Sequence, residues 1–97
     1  MVQIKENWTD IKGTITRIDD SPDRPTFKEV SILVDEAQAV DDFANFLADA
    51  AGKTITVNVA ADTVQAVSMN EGGQIRCRIR RGRNLKDFFA KAESVVV

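Results

Sequence analysis

Apolar and polar residues alternate over several short stretches of this chain, and that period of two predicts strands. From Trp8 to Asp19, the residues Ile11, Gly13 and Ile15 share one parity, with Lys12, Thr14 and Thr16 opposite. Ile18 breaks the parity. A slip of one residue sends side chains to the wrong face unless a bulge absorbs it, and Gly13 or the Thr16-Arg17 step offers the place. A long, bent first strand suits a barrel in which one strand serves two sheets. Asp19 to Pro25 is a loop by composition. The second strand runs from about Phe27 to Val34, with Val30, Ile32 and Val34 inward and Phe27, Glu29, Ser31 and Leu33 on the other face. Two such strands across a polar loop read as a long hairpin.

The period then changes. Val40, Phe43, Ala44, Leu47 and Ala51 fall on one face of a helix, and Phe46 widens the stripe. Asp35 with Gln38 three residues on approximates a capping box, and Gly52 stands where a helix-ending glycine belongs. The pattern predicts an α-helix over about 36–51. A third strand follows from Thr54 to Ala60, with Ile55, Val57 and Val59 inward. Asp62 to Met69 suits a short helical turn, and Asn70-Glu71-Gly72-Gly73 a tight one. The fourth strand, Gln74 to Arg80, places Ile75, Cys77 and Ile79 on its inner face. After a basic loop, Phe88, Ala90, Ala92 and Val96 share the inner parity of a last strand, while Phe89, Lys91 and Glu93 face out.

Many short strands with glycine turns predict a sandwich or barrel. The expected fold is mainly β: a five-stranded OB-like barrel, with the helix inserted between strands two and three. An α+β sheet with the helix packed on one side is the competing plan. The 97 residues suffice for one core, so residues 1–97 are read as a single domain.

Composition narrows the chemistry. Histidine is absent and Cys77 is the sole cysteine. Ser-His-Asp and Cys-His arrangements, an internal disulfide and multi-cysteine metal sites are therefore excluded, and no catalytic, metal or cofactor site is expected. No run approaches the roughly 18 apolar residues of a membrane span, and the first residues lack the apolar stretch of a signal peptide. A cytoplasmic location without membrane association is the expectation. Cys77 is expected to be a small buried hydrophobe.

Charge is segregated along the chain. Residues 1–73 carry 6 basic and 13 acidic side chains, whereas residues 74–97 carry 7 basic and 2 acidic. The outer face of strand four holds Arg76, Arg78 and Arg80, and Arg81, Arg83 and Lys86 continue into the next loop. Alternate residues on a strand project from one face, so the three arginines predict a linear track of planar, forked donors suited to phosphate. Such a row needs counter-charge. Either Glu29, Glu93 or nearby aspartates neutralise it within the fold, or an anionic ligand does. Phe27 and Phe89 are the outward aromatics on which a base would stack. Packing is the alternative for both: Phe27 beneath the helix, Phe89 against a partner subunit. The loop after strand one, with Asp19, Asp20 and Asp23 against Arg24, would repel a polyanion.

The Ile11-Lys12-Gly13-Thr14-Ile15 opening, the Glu71-Gly72-Gly73-Gln74-Ile75 turn and the Phe88–Val97 close resemble those of OB-fold domains of the single-stranded nucleic-acid-binding type. Strand four and its approach are also similar to TOBE/molbindin-like domains, which are OB-type and bind molybdate-like oxyanions. The helix over 36–51 and the arginine-rich loop depart from the TOBE pattern, so no ligand residue carries over. The expectation is a non-catalytic module for single-stranded nucleic acid, using Arg76, Arg78, Arg80, Arg81, Arg83, Lys86, Phe27 and Phe89. The alternatives are a protein-interaction or homo-oligomeric assembly module, or small-oxyanion binding.

Overall fold

A computed structural model of the chain describes residues 8–40, 50–82 and 88–97. Among them the elements run β1 (Thr9–Asp20), β2 (Phe27–Ala39), β3 (Thr54–Ala60), α1 (Ala61–Ala66), β4 (Gln74–Arg81) and β5 (Phe88–Ala90), then a 3-10 turn at Ala92–Ser94. The strands close a barrel in the order β1-β2-β3-β5-β4. All neighbours are antiparallel except β3 and β5, which run parallel. The fold is mainly β, a five-stranded closed barrel with a short helix between strands three and four, consistent with an OB-like architecture.

The predicted alternation builds the interior. Ile11, Ile15, Val30, Ile32, Val34, Val57, Val59, Ile75, Cys77 and Ile79 are all buried. Fully burying one such branched side chain contributes about 1.5–3 kcal/mol. Val64 and Val67, on and just beyond α1, pack against this core from one end. Among the described residues no helix is long and apolar enough to cross a membrane.

β1 and β2 slip register twice: Asp35 is the extra residue on β2 between the Lys12 and Gly13 pairs, and Thr16 is the extra residue on β1 between Ile15 and Arg17, at the step the broken parity of β1 implies. Gly13 is required at the first. A Cβ there would stand 2.8 Å from Ile32 Cγ2 and still closer to the Leu33 carbonyl oxygen. The second is held by the turn before β4. The Gly72 amide donates to the Ile15 carbonyl at 2.7 Å, and the Ile18 amide donates to Glu71 Oε2 at 2.9 Å. Gly72 has φ +87°, a left-handed value that disfavours a side chain. β1 thus pairs with β4 only as far as Thr14, then continues against β2 alone.

Two expectations change. The helix predicted to begin at Glu36 does not begin there. Glu36 to Ala39 extend β2, with Glu36 opposite Lys12 and Ala39 opposite Thr9. Pairing with β1 satisfies their backbone groups and overrides their helical propensity. The middle of the predicted helix, including Phe43, Phe46 and Leu47, lies outside the described residues. Gly52 does adopt a left-handed φ of +84°, in a turn whose amide donates to the Val34 carbonyl. The last strand is also shorter than its parity implies. β5 ends at Ala90, and the 3-10 turn resets the alternation, so Val95 is buried while Ala92 and Val96 are exposed.

Candidate functional site

β4 presents its arginines as the alternation requires, Arg76, Arg78 and Arg80 outward and Ile75, Cys77 and Ile79 inward. The row is not uniform, because each arginine meets a different neighbour. Arg78 lies opposite Asp10 of β1. Its Nε donates to Asp10 Oδ1 at 2.8 Å and its Nη2 to Oδ2 at 3.2 Å. This forked pair holds the Arg78 proton more tightly than in a free guanidinium, first through the hydrogen bond and then through the charge of Asp10. The middle of the track is therefore neutralised within the fold by a nearby aspartate, Asp10.

Arg76 is exposed and lies directly opposite Lys12. Its backbone bridges to Val96. Among the described residues neither Arg76 nor Arg80 forms an ion pair. Arg80 instead stands over the Phe89 ring, its guanidinium carbon 5.2 Å from the centroid. Arg24, from the loop between β1 and β2, reaches the same ring at 5.2 Å. Phe27 meets Phe89 edge to face, with centroids 6.0 Å apart and planes at 82°. Three separate parts of the chain thus converge in one patch: the first loop with the start of β2, then β4, then β5. Both phenylalanines are half-buried, so each ring keeps part of its surface in water. Elsewhere on this face, Lys91 Nζ stands 5.7 Å from the Trp8 ring centroid.

Asn58 anchors this patch. It is buried beside Phe89 in the parallel pairing of β3 with β5, and its Nδ2 donates to the Phe88 carbonyl at 3.1 Å. Its Oδ1 is buried without a partner among the described residues. A polar residue between two buried valines, Val57 and Val59, was the available sequence signal for a structural role here. Arg81 is half-buried, and Arg83 and Lys86 lie outside the described residues.

The acidic loop is less repulsive than its composition implies. Asp19 pairs with Arg17 at 2.6 Å, and Asp20 pairs with Lys28. The Lys28 hydrogen bond, with its positive charge, holds the Asp20 carboxyl below its ordinary value. Cys77 fits the inert role expected of it: burial, with Asp10 adding negative charge nearby, pushes its thiol up to about 12. Among the described residues no group of three acidic or sulfur ligands is placed to hold a metal ion.

A groove of about 610 Å³ lies over the outer faces of β1 and β4. Asp10, Lys12, Arg76 and Arg78 form its floor, with Glu36 and Glu93 among its lining residues. No protein-family model matches this chain, and no curated protein matches its sequence.

Proposed function

We propose that this chain is a non-catalytic OB-type module that binds single-stranded nucleic acid on the face carrying Phe27, Phe89, Arg80 and Arg24. One observation carries the reading: a half-exposed aromatic ring, with a second ring at its edge, is attended by two guanidinium groups at 5.2 Å. Stacking of a base on an aromatic side chain is worth about 1–3 kcal/mol and tolerates any base, because every base has a π-face. In barrels of this type, the loops after strands one and four flank the binding face. Arg24 belongs to the first of those loops, Arg81 ends β4 at the approach to the second, and Arg83 and Lys86 follow it in the sequence, outside the described residues.

In this reading a base stacks on Phe89, Arg80 takes the adjoining phosphate, and Arg76 lies further along the strand. Arg78 joins only by exchanging Asp10 for a phosphate. Fluorescence anisotropy with a labelled oligothymidylate at low salt tests the proposal. Affinity should fall with salt at a log–log slope of about −0.7 per phosphate contact. Phe89→Ala and Arg80→Ala should each weaken binding without unfolding the barrel. Absence of binding at tens of micromolar protein refutes it.

A second reading rests on Val96 and Val97, which are 59% and 55% exposed beside β4. An apolar edge of this kind suits pairing with another chain, and a protein-assembly role follows from it. Sedimentation that reveals an oligomer without nucleic-acid affinity would favour this reading over the first.

A further inference from the structure

We propose that the groove over β1 and β4 is a separate site for a small zwitterionic ligand, with a carboxylate at one end and an ammonium at the other. Its volume of about 610 Å³ lies within the range of sites that hold small molecules. Its charges then decide what fits.

The floor has two cross-strand rows. In the first, Asp10 and Arg78 satisfy each other. In the second, Lys12 of β1 and Arg76 of β4 are direct neighbours in register. Like charges directly opposite one another on adjacent strands destabilise a sheet. No ion pair joins either of them to a carboxylate among the described residues. This pair favours an anion between the two side chains.

The surroundings favour the opposite sign. Glu36 flanks Lys12 from β2, and Glu93 stands in the 3-10 turn; both are exposed and lack an ion pair among the described residues. A polyanion laid along the groove would meet Asp10, Glu36 and Glu93. A simple cation would meet Lys12 and Arg76, and also Lys91, which lines the groove two residues from Glu93. A ligand that places its carboxylate over Lys12 and Arg76 and its ammonium toward Glu36 or Glu93 satisfies both sets, and each set repels the wrong ligand. Glu36 lies one strand spacing from Lys12, about 4.8 Å, and two from Arg76. A five-methylene spacer between the two charges covers such a distance.

The groove is separate from the aromatic patch, but it shares Arg76 and Arg78 with the far end of the proposed strand path, where Asp10, Glu36 and Glu93 oppose a phosphate backbone. Arg76 and Arg80 are four residues apart on β4, about 13 Å along the strand. Loss of oligonucleotide binding leaves this inference standing, and the reverse also holds.

Amide NMR of the full chain tests it with three probes of one length: 6-aminohexanoate, hexanoate and hexylamine. With 6-aminohexanoate, the Lys12, Arg76 and Cys77 amides should shift and saturate in the millimolar range. Hexanoate should bind about fivefold more weakly, the scale of one exposed charge pair, and hexylamine should leave these amides unmoved. Glu36→Gln with Glu93→Gln should lower 6-aminohexanoate to the level of hexanoate. Lys12→Gln with Arg76→Gln should abolish both, with the remaining amides reporting an intact barrel. Equal affinity for 6-aminohexanoate and hexanoate, shifts that persist in the Lys12/Arg76 variant, or no shift with 6-aminohexanoate would each overturn the proposal.

Discussion

Asp10 occupies the middle of the proposed phosphate path, and removing its charge tests that path directly. Asp10→Asn preserves the shape of the side chain and one oxygen acceptor for Arg78, but withdraws the carboxylate that closes the 2.8 and 3.2 Å fork. Arg78 is then available to a phosphate. One more contact on a single strand steepens the log–log salt slope by about 0.7 and multiplies affinity by roughly 5 for each tenfold reduction of salt. The lost repulsion of Asp10 itself acts in the same direction. The cost in stability is small, because the side chains of Arg78 and Asp10 are 38% and 43% exposed and exposed pairs contribute little. Anisotropy titrations across a salt series, for wild type and variant, give both slope and affinity. Circular dichroism confirms the fold. A folded variant with the wild-type slope and affinity would show that a bound strand does not reach Arg78, and the path along β4 would be wrong.

Three further expectations concern the barrel itself. Gly13→Ala would force β1 away from β2 at the first register shift, since its Cβ would approach Ile32 Cγ2 to 2.8 Å. Overpacking of this kind costs about 1–3 kcal/mol, and each kcal/mol lowers the melting temperature of a domain this size by about 4–8 °C. Cys77 should resist a thiol-reactive disulfide reagent at pH 8 in the folded protein and react promptly in urea. Its folded thiol holds its proton to about 12, whereas the unfolded thiol ionises near 9.0, so its contribution to stability is intact below pH 9.0 and is lost between there and about 12. Unfolding titrations of Cys77→Val should lack that alkaline component. The Asp20 carboxyl should titrate below 3.8 by carboxyl-detected NMR, and Lys28→Met should move its midpoint back up. The Asp20–Lys28 interaction supports folding above pH 3.8 and fades as acid protonates the carboxylate.

The features legible in the sequence were those with local causes. The parity break at Ile18 required a bulge, and one lies between Ile15 and Arg17. The alternation in Gln74–Arg80 correctly sorted arginines outward and the aliphatics and cysteine inward. Glu36 to Ala39 misled because an irregularity hides their alternation. Asp35 and Glu36 are both exposed, and only after that step does Ala37 turn inward beneath Gln38. Read without the offset, a run of Glu, Ala and Gln resembles a helix start. The Asp10–Arg78 pair joins residues 68 positions apart. Its formation depends on β1 lying beside β4 in one register, and no local pattern encodes that. The meeting of Phe27 with Phe89 is of the same kind, since it requires β5 to enter the barrel beside β3.

That last placement gives the barrel a weak seam. Among the described residues β3 and β5 are joined over two residue pairs, Val57 with Phe88 and Asn58 with Phe89, whereas β1 and β2 zip together along their whole length. Cracks in a closed cylinder start where the fewest rungs hold it, and the Asn58 amide is the extra rivet on this one. The two phenylalanines meet across the same joint, Phe27 reaching it from β2, the neighbour of β3, and Phe89 standing on β5 itself. Any guest that grips both rings therefore staples the cylinder shut, and docking would register as slower hydrogen exchange in β5 before it registered anywhere else.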